Sequence, residues 1–469
     1  MRTGGALDAQ SEMTSSENPG LFDRWLASNR EVAVVGLGKS GVSATLLLRD
    51  LGLAVYASDT GRGETFEAWA RELRTAGAEV ELGGHNLTRV AEAAAVVVAP
   101  GVPPTVAVLE SARRAGREIY AEVDIGFLAL KHTRCVGITG TNGKTTTTSL
   151  IAHILRASGI DAETAGNIGR PLCEVARAAA PPDWLALELS SFQLHDAPHL
   201  KPAMGVLTNL APNHLDRYAS LEEYYEDKAQ MFRNADSTSV WVTNADDPAV
   251  VNMIRAVPGH HRRFSVKQRA DAWYDREGHR LMLGHKEIMP RSALPLLGDH
   301  NVANALGAIL VAAELGASAA GIAGGLQSFR SISHRVEPIR EVNGVLWIND
   351  SKSTNISSTE VAIAALDRPF VLLLGGRHKG EPYTRLRDRL MGRCRAIVAY
   401  GEAGPQIVRD LAGSFPVVSA GSFEEVLETA RGLAQRGDAV LLSPACSSYD
   451  MFRNYEERGE RFRSAVQAL

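Results

Sequence analysis

Residues 135–148 read CVGITGTNGKTTTT, and this stretch decides the fold. An apolar run, Cys135–Thr139, enters a glycine-containing turn, and the chain leaves the turn as an amphipathic helix. Strand, loop and helix in that order make a phosphate cradle. Backbone N–H groups of the loop point at anionic oxygens, and the helix N-terminus adds positive potential. Lys144, read as an exposed loop group, would reach the β- and γ-phosphates of a nucleotide, and the Thr145 hydroxyl would hold Mg²⁺. The stretch departs by one position from G-x-x-x-x-G-K-[ST], because residue 138 is Ile and the upstream glycine is Gly137. A plain glycine turn would leave the Lys-Thr pair and both flanking elements without a reason.

The same alternation extends in both directions. Upstream, Leu21–Ser28 reads as a short helix and Glu31–Val35 as a buried strand running into Gly36–Gly41, a G-x-G-x-x-G turn. Ala54–Ser58 is a second strand ending at Asp59, and Ala94–Ala99 a third, stopped by Pro100-Gly101. That unit can hold a diphosphate on a helix N-terminus and a ribose or base at the next strand end. Downstream, strands are expected at Trp184–Leu189, Met204–Asn209 and Val240–Asn244, a small β-rich insertion at 258–296, and an Ala-rich helix at Asn301–Leu315. A third unit has strands at Val345–Asn349, Val371–Leu374, Ala396–Tyr400 and Ala439–Leu442. The fold class is therefore α/β with parallel sheets. It divides into a disordered tail (1–20), a first unit (21–122), a central unit with the phosphate loop and the β insertion (123–331) and a third unit (332–469).

Composition bounds the function. The 469 residues carry 50 Lys and Arg against 54 Asp and Glu, a net charge of −4 that argues against a nucleic-acid or anionic-membrane coat. No apolar run reaches the ~18–20 residues of a membrane span. The four cysteines are far apart and unpaired in sequence, which fits a reducing, cytoplasmic setting. Cys446 reads as a small packed residue.

Further polar groups fall at strand ends. Glu188 closes the run WLALEL, where a carboxylate is either a Mg²⁺ ligand or a cap. His214 lies in NLAPNHLDRY, where it is either a metal ligand or substrate contact or, as a lone His more often is, structural. Lys228, in the helical stretch Leu221–Arg233, looks by itself like a surface lysine. Arg335 is a candidate phosphate contact. Asn349–Asn355, Gly375–Lys379 and Ser443–Ser448 are polar loops at the C-terminal ends of parallel strands, where open α/β sheets bind ligands.

GTNGKTTTT, GNIG, LELSSFQL, NHLDRY, GDHNVANAL, SHRVE, INDSKSTN, LLLGGRHKG and SPACSSYDMFRNY follow one another in this order. Together they resemble the ATP-dependent Mur ligases of peptidoglycan synthesis, over roughly residues 21–469, and most nearly the branch that adds D-glutamate to UDP-N-acetylmuramoyl-L-alanine. The resemblance implies a UDP-binding Rossmann-like domain, a central P-loop ATPase domain and a C-terminal Rossmann-like amino-acid-binding domain in a monomer, and amide formation through an acyl phosphate with ATP and two Mg²⁺ sites. It assigns Lys144, Glu188, His214 and a carbamylated Lys228 to catalysis, and Thr145, Glu188, His214 and Lys228 to metal. ATP would lie on Gly140, Thr141, Asn142, Gly143, Lys144, Thr145 and Thr146, with Asn301, Asn304, Arg335 and Asp350. The UDP-substrate would meet Gly38, Lys39, Ser40, Asp59, Thr60, Gly101, Asn167 and His214. D-glutamate would meet Thr354, Lys379, Ser448 and Tyr455, the last standing where Phe is expected. The L-alanine-adding branch and a folylpolyglutamate synthetase are the enzyme alternatives. A nicotinamide oxidoreductase leaves the phosphate loop unexplained, and a nucleotide-regulated binding protein leaves the third unit's polar loops unexplained.

Overall fold

The structure, a computed structural model, describes residues 20–213, 218–378 and 380–469. Three sheets follow one another along the chain. The first contains β1 (Val32–Val35), β2 (Val55–Asp59), β3 (Glu79–Leu82), β4 (Val96–Val98) and β5 (Ile119–Ala121), all parallel, in the order β3-β2-β1-β4-β5. Every residue of β1 and β4 is buried, as expected of parallel strands covered on both faces. The strand order reverses between β1 and β4, so their C-terminal loops part and leave a crevice.

The middle sheet has nine strands: β6 (Arg134–Thr139), β7 (Ala162–Gly166), β8 (Trp184–Glu188), β9 (Met204–Leu207), β10 (Val240–Asn244), β11 (His260–Ser265), β12 (Ala272–Asp275), β13 (Arg280–Leu283) and β14 (Lys286–Pro290). Their order is β14-β13-β12-β11-β10-β9-β6-β8-β7. The β-rich segment expected at 258–296 is present, and it continues this sheet. β11 and β12 extend it in parallel, and β13 and β14 fold back antiparallel. Helix Lys144–Ala157 buries Leu150, Ile151, Ile154 and Leu155 in the same core as Leu306, Ile309 and Leu310 of helix Asp299–Glu314.

The third sheet runs β15-β16-β20-β17-β18-β19. It is built from β15 (Glu337–Val342), β16 (Val345–Asn349), β17 (Phe370–Gly375), β18 (Cys394–Tyr400), β19 (Val417–Ala420) and β20 (Ala439–Leu442), with only β15 antiparallel. The C-terminal helix Tyr455–Ala468 buries Arg458, Phe462 and Val466. Among the described residues no helix is long and apolar enough to cross a membrane.

Candidate active site

The phosphate loop sits where β6 ends. Its glycines are required by space as well as by φ. Gly140 has φ +141° and a Cβ there would lie 2.1 Å from Thr208 Oγ1; Gly143 has φ +81° and its Cβ would lie 2.4 Å from Asn304 Oδ1. Side chains from the β9 end lock the loop. Asn209 accepts from the Asn142 N–H (2.9 Å) and donates to the Asn142 carbonyl (2.9 Å), and Thr208 Oγ1 donates to that carbonyl too (2.7 Å). The Thr141 hydroxyl donates to Ala211 O at 3.0 Å. Asn209 opens the NLAPNHLDRY stretch, where no local pattern marks it as a lock on the phosphate loop.

Lys144 is not the exposed group expected. It opens the helix and folds back, Nζ donating to Gly140 O (3.0 Å) and Thr141 O (2.9 Å), and burial lowers its pKa. Lys228 is not a surface lysine either: it is 1% exposed. Helix Leu221–Ala229 buries both Tyr224 and Lys228, four residues apart and so on one face, with Nζ 4.6 Å from the Tyr224 ring centroid. Lys228 Nζ also donates to Gly140 O, at 2.8 Å. Two lysine heads thus converge on one carbonyl. Burial first, and the Lys144 charge second, push the Lys228 pKa well below the usual lysine range.

Register places Glu188 beside the loop: β6 and β8 pair Ile138 with Glu188. Glu188 is 2% exposed. Its Oε1 accepts from Asn167 Nδ2 (2.8 Å), and its Oε2 is buried with no hydrogen-bond partner among the described residues. A buried carboxylate oxygen without a donor fits a cation. Among the described residues no group of three or more His, Cys, Asp and Glu is placed to hold a metal ion. His214 lies outside the described residues.

The first-unit crevice is a cavity of about 820 Å³. Gly38, Lys39, Ser40, Asp59, Thr60, Gly101 and Asn167 all line it. Asp59 ties its two loops together: Oδ2 accepts from Leu37 N (2.5 Å) and Oδ1 from Gly61 N (2.6 Å). Asn167 faces this cavity while bonded to Glu188, so one side chain links it to the phosphate loop's carboxylate.

A smaller cavity, about 110 Å³, is lined by Asn142, Gly143, Thr146, Asn301, Asn304, Arg335 and Asp350, among others. Asn301, Asn304 and Thr147 form a ladder: Asn304 Nδ2 donates to Asn301 Oδ1 (3.1 Å) and Thr147 Oγ1 donates to Asn304 Oδ1 (3.2 Å). Arg335 crosses from the third unit to the loop, Nη2 donating to Thr145 Oγ1 at 3.2 Å. Asp350 accepts from Val336 N (3.1 Å) and Ser443 Oγ (2.7 Å), and burial pushes its pKa up to about 6. Lys352 and His300, for which no sequence pattern marks a role, line this cavity as well. Burial pushes the His300 pKa down to about 4.

In the third unit, Ser448 is buried, and the Tyr455 ring lies 5.2 Å from Lys352 Nζ and edge-on to His334. Thr354 follows β16 in the same group of strand-end loops. Lys379 lies outside the described residues.

Three sheets, a phosphate loop in the middle one, a first-unit cavity joined to that loop through Asn167 and an arginine reaching it from the third unit define the class. Residues 30–121 match the Mur ligase MurD-like N-terminal domain, 138–312 the Mur ligase middle domain and 334–446 the Mur ligase glutamate ligase domain. The chain belongs to the Mur ligase family. It is 38% identical to the UDP-N-acetylmuramoylalanine--D-glutamate ligase of Acidobacterium capsulatum, over 94% of this chain and 96% of that one. It is 37% identical to the enzyme of that name from Myxococcus xanthus, over 94% and 99%. Among solved structures it is similar to the UDP-N-acetylmuramate-alanine ligase MurC of Thermotoga maritima (TM-score 0.59, 19% identity, 94% of this chain and 99% of that one). It is also similar to MurF of Acinetobacter baumannii (TM-score 0.60, 17% identity, 93% of each). At these identities the two structures speak to the fold.

Proposed function

We propose that this chain is an ATP-dependent ligase that joins D-glutamate to UDP-N-acetylmuramoyl-L-alanine through an acyl phosphate, releasing ADP and phosphate in cytoplasmic peptidoglycan precursor synthesis. One observation carries the reading: Asn167–Glu188 and Arg335–Thr145 tie the first-unit cavity and the third-unit loops to one phosphate loop. The proposed units are 21–122, 123–331 and 332–469, acting as a monomer.

In this reading the UDP moiety occupies the 820 Å³ cavity, its diphosphate on Lys39 and Ser40 and its uridine toward Asp59 and Thr60. ATP lies along Gly140–Thr146, with Asn301, Asn304, Arg335 and Asp350 around its nucleoside and phosphates. Lys144 turns from its two loop carbonyls to the transferring phosphoryl group, and Arg335 adds charge from the other side. Glu188, Thr145, His214 and a carbamylated Lys228 would hold Mg²⁺ at two sites, which neutralises the phosphate and carboxylate oxygens brought together. Thr354, Lys379, Ser448 and Tyr455 take D-glutamate and aim its amine at the acyl carbon.

The test is phosphate release with Mg²⁺, ATP and UDP-N-acetylmuramoyl-L-alanine, adding D-glutamate, L-glutamate or L-alanine in turn. Release with D-glutamate alone is expected. A requirement for UDP-N-acetylmuramate and L-alanine would move the chain to the alanine-adding branch, and no release with any pair would remove the reading. Asp59→Ala should raise KM for the UDP-substrate about tenfold, because two loop N–H groups lose a charged acceptor. KM for ATP should not move; equal changes in both would show a general loosening.

A further inference from the structure

We infer that Arg458 is the positioning residue of the amino-acid pocket and its built-in counter-charge, a role that rests on the third unit being that pocket. Arg458 projects from the first turn of the C-terminal helix and is 0% exposed. Its guanidinium reaches three strand-end loops at once. Nε donates to Ser351 Oγ (2.9 Å) and Nη2 to Ser351 O (2.8 Å). Both Nη atoms donate to Cys446 O at 3.2 Å, and Nη1 approaches Gly375 O at 3.5 Å. Ser351 Oγ donates in turn to Tyr455 O at 2.8 Å, closing the group onto the helix that carries Arg458.

These anchors are the neighbours of the residues assigned to D-glutamate. Ser351 is three residues before Thr354, Gly375 four before Lys379, Cys446 two before Ser448, and Tyr455 three before Arg458 itself. One rigid fork therefore spaces three of these segments, and Ser351 Oγ ties the fourth, at Tyr455, to them.

The charge balance is as informative as the geometry. A buried cation ordinarily has a carboxylate partner. None of the ion pairs among the described residues includes Arg458; carbonyls and one hydroxyl hold it. Carbonyl dipoles satisfy its donors and leave its net charge uncancelled. D-glutamate brings two carboxylates and one ammonium, so it enters with a net negative charge. A fixed positive charge behind the loops favours that ligand over its uncharged amide analogue, D-glutamine.

Steady-state kinetics of Arg458→Gln, Arg458→Lys and Ser351→Ala, with each substrate varied in turn, test this. Arg458→Gln should raise KM for D-glutamate about tenfold or more, equivalent to about 1.4 kcal/mol. It should also narrow the preference for D-glutamate over D-glutamine, with KM for ATP and the UDP-substrate held within about twofold. Arg458→Lys keeps the charge and loses the fork, so its preference for the dicarboxylate should persist while KM rises about threefold. A folded Arg458→Gln protein with an unchanged KM for D-glutamate, or one in which all three KM values rise together, would overturn the role. If Arg458→Gln does not fold, Ser351→Ala decides: a selective rise in the D-glutamate KM supports the role, and none overturns it. Wild-type enzyme without D-glutamate-dependent turnover would instead bring down the reading of the pocket.

Discussion

Lys144→Ala is expected to lower phosphate release by about a thousandfold or more while the protein stays folded. The rate effect follows from position. Lys144 opens the helix after the phosphate loop, and in the proposed reaction a fixed cation there would meet charge that develops on the transferring phosphoryl group. Removing one such preorganised group costs about 3–4 kcal/mol of transition-state stabilisation. The folding cost is smaller, because among the described residues its ammonium bonds only the carbonyls of its own loop, Gly140 and Thr141. Losing such bonds costs on the order of 1 kcal/mol each. Melting curves and single-turnover rates check the two halves separately. Near-normal turnover would remove the phosphate role.

Lys228→Ala is expected to lose about a hundredfold or more of the activity, with partial return on adding acetate or formate. Both Lys144 and Lys228 donate to Gly140 O, inside the protein, and two ammonium ions there repel each other. The burial and neighbouring charge that lower the Lys228 pKa make its neutral amine the accessible form. A neutral amine attacks CO₂, forming a C–N bond and releasing a proton, and the product carries −1 where +1 stood. That change would turn repulsion of Lys144, and of any Mg²⁺ held there, into attraction. Intact-mass measurement of the native protein should show the added CO₂, and omission of bicarbonate should lower the rate. Full activity in Lys228→Ala, with no response to acetate, would reduce Lys228 to a packed lysine.

The strands legible in the sequence and those not legible differ in one physical respect. β1, β4, β6, β8, β9, β16, β17, β18 and β20 lie inside their sheets and read as apolar runs because they are covered on both faces. β3 (EVEL), β5 (IYA), β7 (AETAG), β15 (EPIREV) and β19 (VVSA) were not singled out, and every one is an edge strand. Edge strands are short or polar, since one side of each faces away from the sheet, so no apolar run announces them. The β-rich character of 258–296 was readable from its alternation, but its attachment to the middle sheet was not. That attachment depends on β11 pairing with β10, a contact no local pattern encodes.

The site divides in the same way. By itself the sequence determined the phosphate loop, the G-x-G-x-x-G turn and the polar strand ends, because each is a local pattern whose chemistry lies in consecutive residues. Tertiary structure alone decided what the isolated side chains are. Lys228 passes for a surface lysine on its helix and becomes a buried partner of Gly140 only when that helix packs over the loop. Arg458 looks like one more charge in a polar C-terminal helix, and becomes a buried clamp only when β16, β17 and β20 bring three loops to its guanidinium. Burial and charge balance arise from residues distant in sequence, so they are fixed only when the chain folds.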